Sequence, residues 1–112
     1  MSTIDWTGKS GKKYRYEFLN NITAAGINPV SGNYAFVKQL PNRNFIPLYF
    51  GQAENLQARL PNHERWEEAK RLGATYVMAH STQGGDAVRC AEEIDLIQQW
   101  QPPMNTQHRR VS

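Results

Sequence analysis

A single cysteine, Cys90, leaves the chain without any means of forming an internal disulfide or a thiolate zinc cage. Long apolar runs are missing too: none approaches the ~20 residues that span a bilayer. The first residues, Met1-Ser2-Thr3-Ile4-Asp5-Trp6, lack the basic segment followed by an apolar one that marks a leader. A soluble, unprocessed cytoplasmic protein with no membrane partner is the expectation. Charge of one sign is scarce, since 13 Lys+Arg against 10 Asp+Glu leave a formal net charge of +3. That is compatible with a polyanionic partner and too small to establish one. Internal repeats and low-complexity stretches are absent. What is present is a chain of 112 residues, 39% of them hydrophobic. At this length a chain buries roughly two-thirds of its unfolded surface, enough for one core, so residues 1–112 read as a single domain.

The opening Thr7-Gly8-Lys9-Ser10-Gly11-Lys12-Lys13 is small and basic and reads as a mobile arm. Tyr14, Tyr16 and Phe18 then alternate with Arg15 and Glu17, the period of a strand with one wet face. Asn33 to Gln39 holds four apolar residues in succession, as in a strand covered on both faces. After Pro41-Asn42-Arg43-Asn44, the run from Phe45 to Gly51 completes a hairpin. Asn55 to Leu60 is a helical turn stopped by Pro61; Asn62 can cap a helix from His63 to Leu72, and Gly73 can end it. Thr75 to Ser81 reads as a strand, and Asp86 can cap a helix reaching Trp100 before Pro102-Pro103. The order β, ββ, α, β, α predicts an α+β fold, a small, largely antiparallel three-stranded sheet flanked by helices with one additional N-terminal strand. The tail containing His108, Arg109 and Arg110 reads as disordered.

The last helix carries adjacent glutamates, and helical geometry separates them. At ~100° per residue, Ala87, Val88, Cys90, Ala91, Ile94 and Ile97 mark a face expected to be buried. Glu92 then falls opposite it, in water, and Glu93 at its border, where a carboxylate can meet both the sheet and a cation. The bland alternative for Glu93 is a rim carboxylate answered by solvent or Arg89.

The hairpin holds Gly32-Asn33-Tyr34 on one strand and Tyr49-Phe50-Gly51 on the next. Ten residues after Tyr49 comes Arg59, with His63 one helical turn on, and twelve residues after Glu93 comes Asn105. In this order and spacing, over about residues 29–105, the chain resembles the GIY-YIG nuclease family, leaving an N-terminal extension, 1–28, and a basic tail, 106–112. Asn33 and Phe50 depart from the family's central residues, and Gln52 stands where some relatives carry Lys.

The resemblance implies metal-dependent hydrolysis of phosphodiester bonds in nucleic acid, DNA in the first instance. Tyr34 would be the general base, Tyr49 a phosphate contact and Arg59 the stabiliser of phosphate charge. Glu93 would hold one Mg²⁺ or Mn²⁺ ion, for which one protein carboxylate suffices. His63 would support Tyr34, either through its charge or by accepting the phenolic proton. Asn105 would tether the chain end across the site, and Gln52 would lie beside the substrate. For the tyrosines the alternative is packing, and for His63 a role in the first turn of the helix. Two other classes of function stay open: a non-catalytic module binding nucleic acid or a protein, and a purely structural interaction domain. A core of this size leaves little chain to select a target, so specificity is expected to come from a protein partner or an oligomer.

Overall fold

The computed structural model describes residues 3–19 and 26–105; the basic tail lies outside them. The alternating and apolar runs become strands β1 (Thr3–Thr7), β2 (Lys13–Phe18), β3 (Gly32–Gln39), β4 (Phe45–Ala53) and β5 (Tyr76–Ser81). Three helices accompany them: α1 (Leu56–Arg59), α2 (Trp66–Arg71) and α3 (Asp86–Trp100). The fold is α+β, but the sheet has five strands rather than three, in the order β1-β2-β5-β3-β4, with every described pairing antiparallel.

Alternation along β3 decides the layering, because successive side chains point to opposite faces. Tyr34 and Phe36 pack with Leu56 of α1, Leu60 at its C-cap and Ala69 of α2. Ala35 and Val37 turn the other way, joining Phe50, Met78 and the α3 residues Leu96 and Ile97. The sheet is therefore covered on both faces around β3, as its continuous apolar run requires. On β4 the register slips between Phe36 and Val37, and Pro47 sits at this bulge on an edge strand, where its missing N–H is tolerated.

Several local expectations change. The segment Thr7–Lys13 is a hairpin turn, not a mobile arm. The Ser10 amide and hydroxyl donate to the Asp95 carboxylate at 2.9 and 2.7 Å, and Tyr14 Oη donates to it at 2.7 Å. β1 exists because Trp6, 2% exposed, packs edge-on against Phe50 and Trp100. A strand of five residues with two apolar side chains carries too little periodicity to announce itself. α2 begins later than expected, with Arg65 rather than Asn62 at its N-cap and His63 in the preceding turn. Gly85, not Asp86, is the N-cap of α3.

The largest correction concerns the face of α3. Arg89, Glu92, Leu96 and Ile97 are buried, while Ala87, Val88, Ala91 and Ile94 are exposed. Glu92 leaves water because the sheet supplies it with partners. Tyr16 Oη donates to it at 2.8 Å, and His80 Nε2 lies against the same oxygen. Arg89 donates from Nε to Gln52 Oε1 at 2.8 Å, and its carbonyl accepts from Asn33 Nδ2 at 3.0 Å. Buried polar groups are stable when so satisfied, and a helix presenting two of them turns its small apolar residues outward.

Candidate active site

The two motif glycines are sites of close backbone approach. A Cβ on Gly32 would run into the carbonyl oxygen of His80 on the neighbouring strand. A Cβ on Gly51 would lie 2.5 Å from Cζ and Oη of Tyr34, its cross-strand partner. The missing side chain at Gly51 is thus the space that the Tyr34 ring occupies. Asn33, buried on the opposite face, accepts from Thr82 Oγ1 at 2.7 Å as well as donating to Arg89. Phe50 packs edge-on against Trp6 and Tyr16. Both central positions of the tripeptides therefore serve the α3 side of the sheet, and the tyrosines serve the other.

On that other side an aromatic cluster forms around His63. Tyr34, Tyr49 and Phe36 meet its ring edge-on at centroid distances of 5.5, 5.6 and 4.9 Å, and Phe36 stacks on Tyr49. Tyr34 Oη lies 2.7 Å from His63 Nε2. The direction of this bond follows from the other ring nitrogen. His63 Nδ1 accepts from the Arg65 backbone N–H at 3.1 Å, and a backbone amide can only donate. Neutral His63 consequently carries its proton on Nε2 and donates it to Tyr34. Burial, joined by the charges of Arg59 and Arg65, lowers the His63 pKa to about 4 and keeps the ring neutral. The expectation that His63 accepts the phenolic proton is replaced by the reverse arrangement, in which His63 holds the Tyr34 oxygen as an acceptor.

Burial also raises the Tyr34 pKa, with Tyr49 adding to the effect and Arg59 opposing it. Tyr34 is therefore a neutral phenol at rest, and the expected net bias toward its ionised form is not met by these groups alone. Tyr49 is likewise raised by burial and by the charge of Glu93, against the pull of Arg65, whose guanidinium lies 5.2 Å over its ring. Arg59, the last residue of α1, grips Glu64 with both arms of its fork, at 2.6 and 3.0 Å. This pairing is partly exposed and screened, so an entering phosphate can compete for it.

Glu93 stands on α3, and its charge raises the pKa of both Tyr34 and Tyr49. Burial, with Asp86 contributing, lifts its own pKa to about 7. No described side chain donates a hydrogen bond to this carboxylate or forms an ion pair with it, in contrast to Glu92 one position earlier. A half-buried carboxylate without a counter-charge fits a cation. Among the described residues no three His, Cys, Asp or Glu side chains converge as ligands, so water and phosphate oxygens would have to complete the shell of any ion there.

Two further residues are placed differently from the tyrosines. Asn105 commits its whole amide to the backbone of Phe50, accepting from N–H at 2.8 Å and donating to C=O at 2.9 Å. It extends the exposed edge of β4, together with Met104 N–H, which donates to the Leu48 carbonyl. Gln52 points to the α3 side, engaged with Arg89 and Cys90, away from the Tyr34 cluster. Three participants have no mark in the sequence pattern: Glu64, which occupies Arg59; Arg65, which sets the His63 tautomer; and the Tyr16–Glu92–His80 group that anchors α3. Of these only Glu64 and Arg65, the two residues after His63, are close in sequence to the residues they serve. Comparisons with family models, with curated proteins and with solved structures return no match to this chain.

Proposed function

We propose that this chain is a GIY-YIG-like, metal-dependent endonuclease acting on nucleic acid, with DNA as the first substrate to test. The observation that carries the reading is Tyr34 Oη held as an acceptor by His63 Nε2–H, beside Arg59, with the uncompensated carboxylate of Glu93 in electrostatic reach. Packing alone calls for neither an oriented imidazole nor an unpaired half-buried acid. The lone cysteine suits a reducing cytoplasm.

Each side chain has a separate task. Arg59, released from Glu64, would bind a non-bridging phosphate oxygen and stabilise the charge that builds there. Tyr49, with Arg65 over its ring, would donate its phenolic proton to the phosphate. Tyr34 starts protonated; the Arg59 charge and the His63 N–H both favour the phenolate, which would take the proton of the attacking water. Glu93 would hold Mg²⁺ or Mn²⁺, which when bound supplies Lewis-acid stabilisation of the phosphate and leaving group. Asn105 keeps β4, and with it Tyr49 and Gly51, in place.

Purified protein should cut plasmid, branched or single-stranded DNA in the presence of Mg²⁺ or Mn²⁺. Tyr34→Phe should slow cutting by ~10²–10⁴ while retaining the ring packing and the fold, at a cost of about 1–3 kcal/mol for the His63 N–H left without its acceptor. An unchanged rate would reject the role of Tyr34. One observation favours a second reading, a binding module without catalysis: Arg59 is already engaged by Glu64. Salt-dependent binding with no cleavage across substrates and metals would select that reading.

A further inference from the structure

At the far end of the β3–β4 hairpin from Tyr34, a groove of about 510 Å³ opens on the α3 side of the sheet. Its position follows from the register. Tyr34 pairs with Gly51, whereas Gln39 pairs with Phe45 at the groove, five residues along β3 and roughly 17 Å away at ~3.3 Å per residue. Trp6, Trp100, Phe45, Arg43, Asn44 and Asp5 are among its walls. We propose that this groove binds an unpaired nucleobase together with its adjoining phosphate, as presented by a single strand of nucleic acid. The proposal goes beyond the nuclease reading and rests on the groove alone.

Four features carry it. Trp100 is 37% exposed although its Nε1 is anchored to the Thr7 carbonyl at 3.0 Å, so a flat indole is held in a fixed orientation with part of its surface in water. Such a surface is a stacking platform for any base, because every base has a π-face. Arg43, at the hairpin tip, is exposed, and no described acid pairs with it, which leaves its guanidinium available to a phosphate. Its backbone has φ 73, the left-handed region where glycine or asparagine is the cheaper choice, although asparagines flank it at 42 and 44. A side chain retained at a backbone position that disfavours it points to a use for that side chain.

The third feature is Trp6, whose buried indole N–H has no acceptor among the described residues. The indole that packs edge-on against it is Trp100, so an acceptor in the groove would meet this donor only after the Trp100 ring shifts. The fourth is the asymmetry of charge. Asp5, its Oδ1 already taken by Arg15 at 3.0 Å, is the acid in the lining and repels phosphate. The bound nucleotide is thereby oriented, with phosphate toward Arg43 and the N–H-bearing edge of the base toward Asp5.

The test uses the full chain carrying Tyr34→Phe, in a chelator, so that neither cutting nor metal enters the result. A labelled single-stranded octanucleotide, the corresponding duplex and a free mononucleotide are titrated, reading anisotropy and tryptophan emission. The single strand should bind more tightly than the other two and quench tryptophan emission. Trp100→Leu should remove the quenching and weaken binding about 5- to 100-fold, the range for loss of one stacked base. Arg43→Asn, at an exposed tip position that asparagine occupies without strain, should weaken binding and flatten its salt dependence while leaving the melting temperature unchanged. This second variant keeps the proposal testable if Trp100→Leu unfolds. Absence of single-strand binding, equal affinity for duplex or mononucleotide, or unaltered binding in Arg43→Asn would overturn the assignment. Failure of the nuclease reading would show instead as an absence of cutting with this binding intact.

Discussion

Replacing Glu93 by Gln should make the protein more stable at neutral pH while removing its response to divalent metal. The carboxyl is lifted from an ordinary 4.5 to about 7 by burial and by Asp86, so the folded chain holds this proton more tightly than the unfolded chain does. Where the folded state binds more protons, stability falls as pH rises, here from about pH 4.5 to about pH 7, after which the full penalty is present. At about 1.36 kcal/mol per pH unit the difference amounts to at most about 3 kcal/mol, and the partial hydration of this carboxylate reduces it to about 2 kcal/mol. Gln has nearly the same shape and no charge to desolvate. Thermal unfolding at pH 5 and pH 8, with and without Mn²⁺, reads the effect. At pH 5 the two proteins should melt nearly together; at pH 8 the variant should melt on the order of 10 °C higher. Mn²⁺ should raise the melting temperature of the parent and not of the variant, because binding to the folded state alone stabilises it. A variant that is less stable than the parent at pH 8, or that responds equally to Mn²⁺, would refute the account of Glu93 as an uncompensated acid awaiting a cation.

Two substitutions test how the sheet supports the site. Gly51→Ala places a methyl group 2.5 Å from Tyr34 Cζ and Oη, which must displace the ring from His63. Overpacking of this kind costs about 1–3 kcal/mol, and cutting should fall about as far as in Tyr34→Phe; a parent-like melting curve and rate would show that the ring has room to move. Asn105→Ala strips partners from both backbone groups of Phe50, each worth about 1–3 kcal/mol when left unsatisfied, so unfolding in urea should shift by about 2–4 kcal/mol. A shift below about 0.5 kcal/mol would mean that water replaces the amide at the β4 edge.

What the sequence determined by itself is local. The alternation from Tyr14 to Phe18, the apolar runs around Tyr34 and Tyr49, and the diproline after Trp100 mark β2, β3, β4 and α3 nearly to the residue, because each of these signals acts within a few positions of the chain. Order and spacing, through the resemblance they carry, singled out Tyr34, Tyr49, Arg59, His63 and Glu93 as candidates, but could not say which of them meet. Tertiary structure decided the rest through partners distant in sequence. Tyr16 lies 76 residues from the Glu92 it satisfies, and that bond turns α3 so that the more apolar stripe of Ala87, Val88, Ala91 and Ile94 faces outward. Periodicity ranks side chains by hydrophobicity and contains nothing about a phenol or an imidazole arriving from another strand. Likewise, the tautomer of His63 is settled by one backbone amide two residues on, in a turn where a continuous helix was expected. The direction of the bond to Tyr34 is therefore a property of the folded chain alone.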